Sequence, residues 1–212
     1  MIAADLTDPE SVTALAEEAL AWRDPVDVLV NNAAFLGRAA YHSLDELELK
    51  NFVRQFTVNV TAPFILSKAL VPAMRAAGGG AIVNVTSGAG IIGAYSTPGI
   101  AYGSTKAALN RLTTLLARDL EGDNIAVCAV DPGYTRTALV EQTAEQVGLD
   151  ASMAHEPEVP ARVIADLVEA DPALTTGRVF AAVKGRRPVL MADSRLPMPT
   201  GVEIEMSERS AT

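Results

Sequence analysis

The sequence predicts an α/β fold built on a doubly wound parallel sheet, and three observations carry that prediction. Residues 26–30, 81–86 and 125–130 are short apolar runs rich in Val and Ile, without the strict alternation of a strand that faces water on one side. Between them lie longer stretches in which apolar residues recur every three or four positions, the period of an amphipathic helix. Strand runs separated by helices of this length imply right-handed crossovers in a sheet covered on both faces.

Residues 1–4 read as a very short first strand. Asp8 followed by Pro9 is a helix entry, an N-cap with proline in the first turn, and the helix runs to about Trp22 with Val12, Leu15, Ala16, Ala19 and Leu20 on one face. Asp24-Pro25 ends it before the strand at 26–30. Ser43 or Asp45 is the expected cap of the next helical region, which continues through Phe52, Phe56, Val60, Phe64, Leu66 and Leu70. Pro63 and Pro72 lie inside it, and Pro63 is expected to mark a bend. Gly78-Gly79-Gly80 stops the chain before the strand at 81–86. A helix over residues 102–120, a turn at 121–124 and the strand at 125–130 follow. A polar, Pro-bearing stretch at 138–160 is expected to include a mobile helix, followed by a helix at 158–170 and a strand at 177–183. Residues 1–193 are expected to be a single domain and 194–212 a tail of low order.

Composition narrows the function classes. The 212 residues are 49% hydrophobic, enough chain for one substantial core. The 26 acidic against 17 basic residues give −9, and the longest basic cluster is Lys184-Gly185-Arg186-Arg187, so nucleic acid is not an expected partner. Cys128 is the one cysteine and lies in an apolar run, where it reads as a core residue. His42 and His155 have no Cys, Asp or second His at metal-ligand spacing, so no metal is expected. The first residues have no basic, apolar leader pattern, and no unbroken apolar run approaches a membrane span. A cytoplasmic location is the expectation. Gly-x-Ser-x-Gly is absent, which argues against an α/β-hydrolase.

The chemistry concentrates in residues 87–106. Ser87 falls just past the C-terminal end of a strand, and Tyr102 and Lys106 fall one turn apart on one helix face. Ligands of open α/β sheets bind outside that end of the strands. A phenol titrates at about 10, too high for proton transfer at neutral pH. An ammonium four residues on favours the phenolate and suits acid–base work on an alcohol or carbonyl. The Ser87 hydroxyl could hold the same substrate oxygen. The bare pair is weak evidence: with four Tyr in 212 residues it arises by chance in about one such chain in twelve, and a solvated helix face would show it too. Tyr95 has no Lys four residues on.

The surrounding motifs decide the matter, because together they resemble the classical short-chain dehydrogenase/reductase family. Asn31-Asn32-Ala33-Ala34 is similar to that family's NNAG motif, with Ala34 where Gly is usual. Asn59 resembles the helix asparagine that holds a catalytic water. Ser87, Tyr102 and Lys106 match the Ser and the YxxxK. Asp131-Pro132-Gly133-Tyr134-Thr135-Arg136-Thr137 matches the PGxxxT segment at the nicotinamide end. The resemblance implies a Rossmann-like fold, NAD or NADP as cofactor, and interconversion of a secondary alcohol and a ketone or other carbonyl. It implies that Tyr102 is the general acid/base, that Lys106 lowers its pKa and holds the ribose, and that Ser87 orients the substrate oxygen. Asn59 would hold a relay water. Asp5 and Leu6 would contact adenine, with Asn32, Ala33, Ala34, Pro132, Gly133, Thr135 and Thr137 also on the cofactor. It further implies a small-molecule alcohol or carbonyl substrate, a lid at 138–160, and a homodimer or homotetramer through helices around 45–76 and 102–120; the absence of a long apolar run separately leaves no membrane partner expected. Read without the resemblance, Asn31 to Ala33 could be an ordinary strand-end turn and Pro132-Gly133 only a turn.

Two departures stand beside the match. Ser87 and Tyr102 are two residues further apart than is usual, which an extra bend at 91–99 would absorb, with Thr86 or Ser96 as alternative donors. The strand, TGxxxGxG turn and helix that receive the cofactor pyrophosphate have no counterpart, since Gly78-Gly79-Gly80 precedes a strand instead of following one. The first two strands of the family's sheet are therefore expected to be missing, leaving residues 1–4 unpaired and the strand at 26–30 an apolar edge. Such a chain could be a non-catalytic remnant or an interaction subunit.

Overall fold

The protein is described by a computed structural model, which covers residues 1–36, 44–91, 99–138, 140 and 150–193. Helix α1 (Pro9–Trp22) begins as its sequence dictates: the Asp8 carboxylate accepts the Glu10 N–H, and Pro9 fills the first turn, where no N–H is needed. Strand β1 (Val28–Asn31) follows, then α2 (Leu49–Phe56), a π-helical turn (Thr57–Thr61), α3 (Ala62–Ala76) and β2 (Gly80–Val85). The chain continues through α4 (Ile100–Asp119), β3 (Ile125–Asp131), α5 (Glu158–Glu169), α6 (Pro172–Thr175), β4 (Arg178–Ala181) and β5 (Val189–Asp193).

The five strands form one sheet in the order β1-β2-β3-β4-β5. The first four are parallel, with Val28 opposite Ala81 and Ala81 opposite Ala126. Successive residues of a strand face opposite sides, and both sides are covered. Ile82 and Val127 point into a core with Ala16 of α1, Leu70 and Met74 of α3, and Ala117 of α4. Val83, Cys128 and Val130 point the other way, against Val163 and Leu167 of α5. The doubly wound expectation holds. Burial pushes the Cys128 thiol up to about 12, as a core cysteine requires.

Several expectations are corrected. Residues 1–4 form no strand. The described sheet ends at β1, whose one partner is β2, so no ladder reaches those residues. Val28 and Val30 on that edge are 37% and 39% exposed, the apolar edge that the sequence led us to expect. Asp45 is not a helix cap, and Ser43 falls outside the described residues. Helix α2 starts instead behind Glu48, whose carbonyl takes the first helical N–H groups while its carboxylate pairs with Lys50 at 2.8 Å. The bend expected at Pro63 is the π turn just before it. Pro63 has no N–H for the Asn59 carbonyl four residues back, and the ladder shifts by one so that the Ala62 N–H reaches Thr57 O. Pro72 lies within α3 without ending it.

By length and composition, Leu49–Ala76 is apolar enough to cross a membrane; here Ala62, Leu70, Val71 and Met74 along it are buried within the fold. Strand β5 was not foreseen: it adds antiparallel to β4, fastened by Arg178 Nε to Asp193 Oδ2 at 2.8 Å. The expected tail at 194–212 and most of the expected lid lie outside the described residues.

Candidate active site

The site is built where β2 and β3 end. After Val85, the chain turns through Ser87, whose Oγ accepts the Ala89 N–H at 3.2 Å and starts a single 3-10 turn, Gly88–Gly90. This turn lies directly on α4. A Cβ at Gly90 would meet the Lys106 carbonyl carbon at 2.5 Å and the Ala107 nitrogen at 2.7 Å, so only glycine permits the approach. The Thr86 hydroxyl adds a bond to the Lys106 carbonyl, at 3.3 Å, and is thereby committed to structure. Ser87 is held beside the helix that carries Tyr102 and Lys106. The other alternative donor, Ser96, lies outside the described residues.

Lys106 is 2% exposed, among the largest fully buried side chains. Its Nζ donates to the Val85 carbonyl at 2.7 Å and stands 5.5 Å from the centroid of the Tyr102 ring. Burial pushes the ammonium down to about 8, and the Asp131 carboxylate works in the opposite direction. Near neutral pH it remains largely charged, beside a half-buried phenol.

Asn59, 1% exposed in the π turn, ties three parts together. Its Oδ1 accepts the Phe35 N–H at 2.7 Å, while its Nδ2 donates to the Phe35 carbonyl at 3.1 Å and the Thr105 hydroxyl at 3.1 Å. Thr105 in turn donates to Tyr102 O. The segment after β1 is thereby fixed to the helix of the Tyr–Lys pair. Asn31 is buried and structural: its Nδ2 donates to Asn84 Oδ1 at 2.8 Å, and Asn84 donates to the Thr113 hydroxyl at 2.9 Å. Asn32, Ala33 and Ala34 are exposed beyond it. Leu6, Asn32 and Ala33 share a cavity of about 330 Å³ along β1, α1 and α3. Asp5 lies outside that lining, and its carboxylate is held below the usual value by the Thr7 N–H and hydroxyl, with a smaller contribution from the Arg54 charge.

On the other side, Pro132 and Gly133 turn the chain after β3. Gly133 has φ +67°, a backbone conformation that favours glycine, and a Cβ there would have to displace the His155 ring, whose Nε2 it would meet at 2.9 Å. Thr135 donates to the Pro132 carbonyl, and Thr137 accepts the Val140 N–H. Both threonines thus hold the segment's own backbone. Sequence reasoning passed over Thr105, Asn84 and Asp131. The missed signal for the first two was a polar residue where the period calls for an apolar one: Thr105 shares the inward stripe of Leu109 and Thr113, and Asn84 lies mid-strand.

Comparison with known proteins identifies the family. The family described as short chain dehydrogenase matches residues 1–148. The chain belongs to the short-chain dehydrogenase family. With that family it takes its place among the NAD(P)-binding oxidoreductases of Rossmann-like fold. A cyclohexanol dehydrogenase of Acinetobacter sp. (strain SE19) is 35% identical over 180 residues, covering 84% of this chain and 70% of that protein. A 3alpha-hydroxysteroid dehydrogenase of Mediterraneibacter gnavus is 39% identical over 142 residues, covering 67% of this chain and 55% of that one. Among solved structures, NAD+-bound xylitol dehydrogenase superposes with a TM-score of 0.75 at 28% identity, over 87% of this chain and 78% of the other. L-sorbose reductase from Gluconobacter frateurii, complexed with NADPH and L-sorbose, gives 0.73 at 26%, over 85% and 73%. This short-chain dehydrogenase thus spans about half to three-quarters of the length of these relatives.

Proposed function

We propose that this protein interconverts a secondary alcohol and a ketone with NAD or NADP, using Tyr102 as the proton-transfer group. The observation that carries the reading is the buried Lys106 ammonium beside the Tyr102 ring, on a helix that packs against the Ser87 turn at the C-terminal end of β2. A fixed positive charge favours the phenolate, so Tyr102 takes the hydroxyl proton in oxidation and returns it in reduction. Ser87 holds the substrate oxygen within reach of the phenol. Lys106 also holds the ribose, and Asn59 fixes the π turn whose relay water replenishes the proton.

The residues present fit the two ends of a dinucleotide. Leu6, Asn32 and Ala33 line one cavity, and the Pro132–Gly133 turn stands by the Tyr–Lys pair across Asp131. Asp5 and Ala34 extend the adenine side, and Thr135 and Thr137 shape the nicotinamide side. The nicotinamide, when bound, supplies the hydride acceptor or donor. The relatives act on cyclohexanol or on hydroxysteroids by name, which favours a small-molecule alcohol as substrate. A homodimer or homotetramer is the proposed assembly, favoured by Phe64 on α3 and Leu115 on α4, which are 44% and 46% exposed. A cytoplasmic location accompanies the reading.

Tyr102→Phe tests it: turnover should fall by a factor of about 10² to 10⁴ while cofactor affinity stays nearly unchanged. Retained turnover removes Tyr102 from its role. The open β1 edge favours a second reading, a non-catalytic interaction subunit. NADH and NADPH fluorescence titrations on the 212-residue chain and on a form extended upstream separate the two. Binding by neither form supports the subunit.

A further inference from the structure

Asp131 is the last residue of β3 and belongs to neither the Ser–Tyr–Lys set nor the cofactor-side residues assigned above. Its Oδ1 accepts the Gly133 N–H at 3.0 Å, which closes the Pro132–Gly133 turn. Its Oδ2 lies against the other loop: a Cβ at Gly88, in the turn begun by Ser87, would meet it at 3.1 Å. One carboxylate therefore bonds one of the loops that frame the site and leaves no room for a side chain at Gly88 on the other. The carboxylate also stands near a charge, without an ion pair to it. Val85, whose carbonyl receives the Lys106 ammonium at 2.7 Å, pairs with Val130, so carbonyl and carboxylate stand on adjacent strands one residue apart.

The groups facing Lys106 from each neighbouring element can be named. Its own helix presents the Tyr102 phenol, β2 presents a neutral carbonyl, and the π turn presents Asn59 by way of Thr105. The loop at 154–156 brings His155 to the far side of the Gly133 turn, with Glu156 paired to Arg136 at 3.3 Å. Asp131 is the acidic group whose field acts on the ammonium.

We propose that Asp131 is a positioning residue, whose negative charge keeps Lys106 protonated and whose two oxygens set the Ser87 and Gly133 turns as one unit. It rests on the reading of Tyr102 and Lys106 as the acid–base pair. A buried ammonium sheds its proton more readily than an exposed one, and burial without an opposing carboxylate would leave a smaller share of the ammonium that stabilises a phenolate. The carboxylate opposes that loss through its field, with no ion pair joining the two groups.

Asp131→Asn is the decisive variant, since the amide oxygen can still accept the Gly133 N–H while the charge is gone. Asp131→Ser, whose hydroxyl serves the same short turn, is the second. The readout is a ¹³Cε-lysine NMR titration of the full chain, which carries Lys50, Lys68, Lys106 and Lys184. In both variants the Lys106 resonance should titrate lower by on the order of one pH unit, with the other three unmoved. The alkaline limb of the turnover profile, where the required ammonium is lost, should move down with it. An unchanged Lys106 titration in a folded variant overturns the proposal, whatever becomes of the catalytic reading. A shifted titration in a protein whose Tyr102→Phe form still turns over supports the coupling and overturns the catalytic reading instead.

Discussion

Lys106→Met should remove the chemistry and at the same time change how stability responds to pH. The Lys106 ammonium is 2% exposed, and its pKa falls from 10.5 to about 8 on folding, mainly through burial. A depressed lysine pKa means that the unfolded chain binds the proton more tightly than the native one, so stability rises with pH across that window. Below pH 8 the charged form is present in both states, and the native protein bears the whole cost of holding it. As pH rises from about 8 toward 10.5, the folded chain gives up its proton first and the cost is relieved. With these two values the relief is about 1.4 kcal/mol by pH 9 and about 2.6 kcal/mol by pH 10, approaching roughly 3.4 kcal/mol in full. Methionine fills a similar volume without a charge, and its stability lacks this component.

The assay is urea unfolding of wild type and Lys106→Met at matched pH values from 7 to 10, taking the difference so that all other titrations cancel. Wild type should gain on the variant steadily above pH 8. A difference that stays flat across the range would refute the premise that Lys106 is a buried charge, and with it the electrostatic account of Tyr102.

Three further outcomes follow from the same geometry. Gly133→Ala should cost about 1–2 kcal/mol from the left-handed backbone alone, with an added clash at His155 that His155→Ala relieves, measured as denaturation midpoints of the single and double variants. Asn59→Ala removes the side-chain bonds to Phe35 and Thr105; the expected loss is about 2 kcal/mol, and the Phe35 amide should exchange hydrogen faster. Val28→Lys charges the exposed edge of β1, and concentration-dependent association in sedimentation should fall if that edge pairs between copies.

The sequence by itself determined the periodic part of this protein. The three central strands, the helices between them and the order of Ser87, Tyr102 and Lys106 were legible because buried strands and one-sided helices leave a local record in residue type and spacing. The consequence of an unpaired first segment was legible too, since a strand needs a neighbour whatever its composition. Boundaries and connections were not. The residues at 1–4 and 189–193 are both short apolar runs, and which of them joins the sheet depends on whether a partner strand lies alongside, a fact of topology. The π turn at Thr57–Thr61 depends on an N–H that Pro63 cannot give, and the helical period on either side hides it. Tertiary structure alone decided that Asn59 grips Phe35 and Thr105, and that Asp131 stands between the Gly133 turn and Gly88 within the field of Lys106. Those contacts join residues dozens of positions apart, where electrostatic and hydrogen-bond energies depend on distances of a few ångströms that no local pattern encodes.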